Sequence, residues 1–314
     1  MTSDFEKAYY HVRSGGTGFD RQRRGLIAVW GKEAVQFLDG MITNDMKTLE
    51  DGSQMLAGFP NAQGRLLAVV RILRQGDKFL IETEEATREK VFNNLFRFTF
   101  AGDFFVEDLS EVYEYFEIFG DSSNVPRGGD IVILKSDFSL DCFARPVDGN
   151  AIGGHLAKSE AVKISDDLYE ALRIENGVPK YGVDMDETTI VPELGLESLI
   201  SYTKGCYIGQ EIIARIHFRG HVAKRLAGLT LAESPVPAGA ELVSAELKTH
   251  DGKNAGRITS VTFSPKLNKT IALGYVRYDY LTEGTELTVG DTRARVTNLP
   301  FISSTTEEKV HAQK

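Results

Sequence analysis

The run Arg257-Ile-Thr-Ser-Val-Thr-Phe263 and, after a polar turn, the run Ile271-Ala-Leu-Gly-Tyr-Val-Arg-Tyr278 decide the C-terminal fold. β-Branched and aromatic residues are frequent in both runs, which is typical of neighbouring β-strands. Further short strand-like runs, separated by Gly, Pro, Asp and Asn, lie at 226–231, 240–243, 285–289 and 293–296. Six short strands without helical periodicity favour a small β-barrel or β-sandwich. We predict a C-terminal all-β barrel over residues 221–302.

Upstream of these strands, helical and strand patterns alternate irregularly. Residues 25–50 contain a short apolar strand and then an amphipathic helix, and residues 66–81 have the pattern of a hairpin. A second helix is predicted at about 86–98. Residues 165–177 predict a third, because a serine can cap its start and a glycine can end it. Hairpins with inserted helices indicate an α+β fold over residues 1–220.

Length, charge and cysteine content restrict the class of protein. The 314 residues suffice for two or three folded units, and the final segment, 303–314, is predicted to be a flexible tail. A net charge of −9 argues against wholesale wrapping of nucleic acid or adhesion to an anionic membrane. The sequence shows no secretory signal and no apolar run of roughly 20 residues. Two cysteines cannot form a disulfide scaffold, which favours a reducing, cytoplasmic setting. We also predict that the chain is a monomer without a membrane partner.

The segment Lys204-Gly-Cys-Tyr-Ile-Gly-Gln-Glu211 is the strongest candidate for chemistry. Cys206 lies between two nearby glycines, and five cations oppose one carboxylate over residues 204–225, in contrast to the acidic chain. Nearby cations favour the reactive thiolate, and we expect Lys204 and Arg215 to act in this way. The alternative is a buried, inert cysteine beside a solvated basic face.

Other uses of the same segment are weaker predictions. His217 and His221 follow Cys206, but a structural zinc site needs four ligands and Cys142 is the only other thiol, so no metal site is predicted. A Cys–His nucleophilic pair would require the two side chains to meet, and the sequence spacing alone does not show that they do. The basic segment also leaves open an RNA-binding module.

The helix predicted at 165–177 carries two candidate ligand-binding residues. Glu175 lies in its last turn, where the helix dipole disfavours a carboxylate, and could accept paired N–H donors from a ring such as a pterin. Its alternative is a surface ion pair with a lysine such as Lys180. Tyr169 could stack on a flat ring or pack in the core.

The block Lys204-Gly-Cys-Tyr-Ile-Gly-Gln-Glu-Ile-Ile-Ala-Arg215 resembles the signature of YgfZ-type folate-binding proteins, relatives of the glycine-cleavage T-protein. Weaker blocks in the same order extend the resemblance over about residues 20–300: they lie at 37–45, 61–67, 173–179, 256–265 and 271–275.

The resemblance implies three subdomains in a cloverleaf around a central channel that holds tetrahydrofolate, two of them interleaved within residues 1–220. It implies support of iron–sulfur cluster assembly or repair, with iron–sulfur client proteins and only an indirect link to tRNA modification. Cys206 matches the functional cysteine of the family, and Lys204 and Tyr207 are grouped with it as candidate catalytic residues. The residues that the resemblance assigns to folate binding are Glu175, Tyr169, Arg215, Arg24 and Asn44.

One departure from the family bears on catalysis. T-proteins carry an Asp-Asp pair, one member of which is needed for aminomethyl transfer, where this chain has Ala68 and Val69. Apolar side chains cannot exchange a proton. Whether the chain is an enzyme stays open, with a folate-dependent aminomethyl- or demethyl-transferase that uses another carboxylate as the alternative.

Overall fold

The computed structural model describes residues 4–136, 138–232 and 242–302 and has the predicted α+β fold with a C-terminal β-barrel. The described helices are α1 (Asp4–Arg13), α2 (Ala34–Met41), α3 (Glu85–Phe96), α4 (Pro146–Lys158), α5 (Asp166–Glu175) and α6 (Gln210–Arg219). The strands before the barrel are β1 (Thr17–Asp20), β2 (Arg24–Trp30), β3 (Gln54–Pro60), β4 (Leu66–Gln75), β5 (Lys78–Glu84), β6 (Phe105–Asp108), β7 (Glu114–Gly120), β8 (Val132–Lys135), β9 (Ser139–Ala144) and β10 (Val162–Lys163). The barrel strands are β11 (Lys224–Leu231), β12 (Glu246–Lys248), β13 (Asn254–Ser264), β14 (Lys269–Arg277), β15 (Glu286–Val289) and β16 (Thr292–Thr297).

Two five-stranded sheets share the N-terminal part of the chain. Sheet I has the order β10-β1-β7-β9-β8, and sheet II has the order β3-β4-β5-β2-β6. The chain therefore begins in sheet I, builds the whole of sheet II and then returns to sheet I. In sheet II, apolar side chains from β2, β4 and β5 pack with those of α2 and α3 in one buried cluster.

The C-terminal strands close into a barrel in the order β11-β14-β13-β12-β15-β16. Alternate side chains such as Leu229, Leu247 and Val296 point into its core, and closure leaves no free sheet edge. The strand predicted at 240–243 is not one of the six: residues 240 and 241 lie outside the described residues, and Leu242 and Val243 are not in a strand. The sixth strand is instead β12, where one apolar residue stands between Glu246 and Lys248 and gives little sequence signal.

Helix α5 is the joint between the N-terminal sheets and the barrel. The Ser165 hydroxyl accepts from the Leu168 amide, as predicted for a cap. The fully buried Arg173 donates to the Asp184 carboxylate at 2.8 Å and to Ser260 Oγ of β13 at 2.8 Å. Asp184 in turn accepts from the hydroxyls of Thr259, at 2.5 Å, and Ser260, at 2.6 Å. This closed network holds the barrel against α5.

None of the described helices could span a membrane, since none is both long and apolar enough. The longest of them, α4, has 13 residues. The predicted tail, 303–314, lies outside the described residues.

Replacing Asp184 by alanine should lower the free energy of unfolding by about 3–5 kcal/mol, because Arg173 would keep a buried charge without its partner. Urea denaturation measures this change. The matched control is Glu170→Ala, which removes the other carboxylate bound to Arg173; it is one-third exposed, so about 1 kcal/mol or less should be lost. Equal losses in the two variants would contradict the role of the Asp184 network.

Candidate functional site

A cavity of about 500 Å³ lies where sheet I, sheet II and α5 meet. Strands β2 to β5 form one side, strands β7 to β9 face them, and α5 with the segment after it closes the third side. Part of its wall is apolar, formed by Met55, Leu56, Val69, Val70, Leu196 and Leu199. Its size is that of a typical small-molecule site.

One end of the cavity holds a buried ionic network. Arg24 Nε lies 2.7 Å from Glu82 Oε1, and Arg71 Nη2 lies 3.2 Å from Glu82 Oε2 and also pairs with Asp141. Burial disfavours the Arg71 cation, but Glu82 and Asp141 keep the pKa of its guanidinium above its usual range. Arg24 Nε and Glu82 Oε1 are buried without a hydrogen bond, despite their short separation. The wall thus retains polar groups with unused hydrogen-bonding capacity.

Glu84 and Glu117 are two further carboxyl groups on the cavity wall, and neither forms an ion pair within the described part of the chain. Burial raises the pKa of both, and Asp141, the cross-strand partner of Glu117, raises that of Glu117 further. Glu84 accepts from the Tyr181 amide at 3.1 Å. A protonated carboxyl can donate as well as accept a hydrogen bond, so this side of the cavity can match a mixed donor–acceptor edge.

Three of the predicted folate-binding residues, Tyr169, Arg24 and Asn44, line this cavity. The Tyr169 ring meets Phe119 edge to face at 6.1 Å, and Lys180 Nζ lies 5.8 Å from the ring centroid. The Asn44 amide donates to the carbonyls of Leu56 and Ser198, so it chiefly fixes the wall.

The structure does not bring Glu175 or Arg215 to the cavity wall. Glu175 is fully buried and accepts from Tyr9 at 2.7 Å, from Ser264 at 2.5 Å and from Arg13. Neither a pterin contact nor the alternative pair with Lys180 fits this placement; the neighbours of Glu175, Asn176 and Gly177, reach the cavity instead. Arg215 is exposed on α6.

Cys206 is exposed, and the chain on either side of it is fixed. Lys204 Nζ donates to the carbonyls of Asp39 at 2.6 Å, Ile42 at 3.0 Å and Asn44 at 2.6 Å, and it lies 3.2 Å from Asp39 Oδ1. These carbonyls belong to the end of α2, where backbone acceptors lack helical partners. An ammonium has three protons, and all are engaged. The prediction that Lys204 activates the Cys206 thiol is therefore not supported by this geometry.

The residues after Cys206 complete its anchoring. Tyr207 is buried, and its ring centroid lies 5.0 Å from Lys204 Nζ, so it packs rather than facing a ligand. The Ile208 amide donates to the Gly40 carbonyl at 2.9 Å. Gly209 has φ +79°, and a Cβ atom there would lie 2.4 Å from the Asn61 carbonyl oxygen. The second glycine of the block is thus required by a close backbone contact.

The two histidines after Cys206 are used in ring stacking. His217 stacks on Tyr202 and His221 stacks on Tyr278, each pair with ring centroids 3.6 Å apart. Within residues 4–136, 138–232 and 242–302, no three His, Cys, Asp or Glu side chains are grouped to hold a metal ion.

Two family models match the two ends of this architecture. The GCVT N-terminal domain matches residues 1–125, and the glycine cleavage T-protein C-terminal barrel domain matches residues 224–302. The chain belongs to the glycine-cleavage T-protein superfamily. The crystal structure of the glycine cleavage system aminomethyltransferase T from Bartonella henselae shares the fold, with a TM-score of 0.83 and 20% identity over 95% of this chain and 89% of that one.

Sequence relatives of this superfamily member carry two kinds of name. An iron-sulfur cluster assembly factor IBA57 homolog, mitochondrial, from Mycosarcoma maydis is 29% identical over 68% of this chain, which spans 58% of that relative. The tRNA-modifying protein YgfZ of Hamiltonella defensa is 27% identical over 71% of this chain and 73% of its own length. An aminomethyltransferase of Rubrobacter xylanophilus is 26% identical over 92% of this chain and 84% of its own length. The first two confirm the YgfZ-type resemblance.

Ala68 and Val69, the positions at which the resemblance places the T-protein carboxylate pair, lie in β4. Val69 lines the cavity, and Ala68 is fully buried in the core of sheet II. The cavity wall is therefore apolar where the resemblance places the pair in T-proteins. The carboxyl groups that the sequence analysis missed, Glu84 and Glu117, lie in strands β5 and β7 of the same cavity. For Glu117 the signal was a charged residue between apolar residues of a strand run, whereas Glu84 ends its strand and gave no such signal.

A thiol reagent should distinguish the two cysteines of this T-protein relative. Cys142 is fully buried, and burial raises the pKa of its thiol to about 12, whereas Cys206 is exposed. Native protein should react rapidly with dithionitrobenzoate at one thiol per chain, and denatured protein at two. Native Cys206→Ser should lose the rapid reaction, and the control Cys142→Ala should keep it; a native protein in which neither thiol reacts would contradict the exposure of Cys206.

Proposed function

We propose that this chain binds a reduced folate in the central cavity and supports the assembly or repair of iron–sulfur proteins, with Cys206 as the group that meets the client. The observation that carries the proposal is the combination of a ligand-sized cavity with one exposed thiol on a fixed loop. The names of the relatives from Mycosarcoma maydis and Hamiltonella defensa, an iron-sulfur cluster assembly factor and a tRNA-modifying protein, support this proposal.

The residues of the cavity fit a folate. A pterin is flat and offers an edge of N–H donors, which Glu84 and Glu117 can accept beside the ring of Tyr169. The carboxylate tail of a folate would find cations in Lys135 and Lys180, on the same wall. Bound tetrahydrofolate supplies a carrier for one-carbon units. The chain itself orients the ring, holds or releases protons at its buried carboxyls and excludes bulk water from the apolar side.

Cys206 does not line the cavity, but the side chain of Lys204 connects its loop to the cavity wall. Lys204, two residues before Cys206, binds the carbonyl of Asn44, and Asn44 forms part of the cavity wall. A ligand that orders this wall therefore also orders the contact between Lys204 and Asn44, which anchors the Cys206 loop. The proposal therefore gives the folate a positioning effect on the thiol, and Lys204 and Tyr207 are scaffold residues of the loop.

Aminomethyl or demethyl transfer is the second candidate, favoured by Glu84 and Glu117 in the cavity. We rank it lower because Val69 occupies the wall where a T-protein carboxylate is expected. Formation of 5,10-methylenetetrahydrofolate from tetrahydrofolate and an S-aminomethyl donor, with release of ammonia and the free thiol, by the purified protein would favour the transferase. The cytoplasmic location and the monomeric state stay predictions.

Calorimetric titration with tetrahydrofolate tests the ligand. Wild-type protein should bind, Tyr169→Ala should weaken binding by up to about tenfold through lost ring stacking, and Glu84→Ala should weaken it about tenfold through the lost hydrogen bond to the ring edge. Tyr10→Ala, an exposed tyrosine of α1, is the matched control and should bind like wild type. Glu175→Gln should lower stability but leave the affinity within about twofold. Absence of tetrahydrofolate binding by the wild type would rule out the folate proposal.

The role of the thiol is tested in cells that lack the protein and show low activity of an iron–sulfur enzyme. Cys206→Ala should fail to restore that activity because the exposed thiol is lost, whereas Cys142→Ala should restore it. Immunoblotting confirms equal amounts of the two variants. Full rescue by Cys206→Ala would rule out the proposed use of the thiol, while leaving folate binding intact.

A further inference from the structure

A second pocket, of about 450 Å³, lies on the barrel and gathers three cations. Lys224 begins β11, Arg277 ends β14, and Arg257 lies on β13. The sheet register sets Lys224 directly opposite Arg277, and Arg257 opposite Tyr275, two residues before Arg277. The three positive side chains thus come from three adjacent strands at one end of the barrel.

The barrel compensates this grouping only in part: Lys224 Nζ lies 4.6 Å from the centroid of the Tyr275 ring, but Lys224 and Arg277 still face each other. Like charges that face each other across two strands destabilise a sheet. Within the described residues, none of the three cations has a carboxylate within 4.0 Å. Glu246, in the pocket wall, lies 3.9 Å from Lys248 instead, and Asp186 and Glu193 act on the cations only from longer range. An anion bound in this pocket would relieve the repulsion.

Two exposed aromatic residues lie close to these cations in the chain. His221 and Tyr278 stack with their planes 9° apart, and the Tyr278 amide donates to the Ala223 carbonyl at 3.0 Å. Both residues are exposed; Tyr278 directly follows Arg277, and His221 lies three residues before Lys224. We call this surface the barrel-rim patch; its members are His221, Lys224, Arg257, Arg277 and Tyr278.

We propose that the barrel-rim patch binds single-stranded nucleic acid, with phosphates on the three cations and a base on the His221–Tyr278 stack. Sites for single strands combine a basic groove with aromatic rings on which unpaired bases stack. A small free anion would use the cations alone and leave the exposed rings without a function. The patch differs from the basic segment 204–225 taken as a whole, since Lys204 is buried against α2.

Fluorescence anisotropy of the full chain with a labelled 12-nucleotide oligouridylate tests the proposal. Wild type should bind at low salt, and its affinity should fall linearly on a log–log plot against salt concentration. Each of Lys224→Gln, Arg257→Gln and Arg277→Gln should reduce the steepness of this slope by about 0.7, the value for one phosphate contact on a single strand. Tyr278→Ala should weaken binding about tenfold with the slope unchanged, because stacking does not release counterions.

Arg293→Gln is the matched control. Arg293 is exposed on β16 beside the far end of β11, about 23 Å from Lys224 at the rise of a strand, and its loss should leave binding unchanged. Any of four results would overturn the proposal: no binding at low salt, an equal loss in Arg293→Gln, binding of a duplex at least as tight, or displacement by submillimolar inorganic phosphate. All patch variants should bind tetrahydrofolate like wild type, so this test and that of the cavity fail independently.

Discussion

The burial of one guanidinium organises this molecule. Arg173 is almost completely removed from water, and a buried cation is tolerated when it is paired and hydrogen-bonded, as both terminal nitrogens of Arg173 are. Besides Glu170 of α5 itself, the partners come from the loop after α5 and from β13 of the barrel, so the full set is in place only when the barrel is seated against α5. The same helix presents Tyr169 to the cavity, and the position of the barrel and the shape of the cavity therefore depend on one network.

The Cys206 loop shows the same use of a buried cation on a smaller scale. Lys204 binds the carbonyls at the end of α2, and desolvation lowers the pKa of its ammonium although Asp39 opposes the shift. The lysine that looks like an activating charge in the sequence is a structural bond between two segments. What the loop gains is a defined position for an exposed sulfur, which a flexible loop would not provide.

The fold was largely readable from the sequence, because its strongest signals are local. Strands β13 and β14 of the barrel are rich in β-branched and aromatic residues, and Ser165 and Gly177 bound α5 through side-chain and backbone effects within a few residues. Helices α1, α4 and α6 were missed; α4 contains three glycines in 13 residues, which weakens any helical preference. The site was only partly predictable. Glu175 seemed free for a ligand because its partners, Tyr9 and Ser264, are more than 80 residues away in the chain.

The path of the chain through the two sheets affects how the protein folds during synthesis. Strand β1 pairs with β7, so the backbone of Thr17 cannot form its strand hydrogen bonds until Gly120 has been synthesised. Sheet II, in contrast, is contiguous from β2 to β6 and can fold as soon as those residues leave the ribosome. The first strand to be translated thus remains unpaired while its neighbour is made, and pairing over so long a loop is slow. A nascent chain of this architecture carries an unpaired β1 while the residues between Asp20 and Glu117 are added, and this is the interval in which a chaperone would have the most to protect.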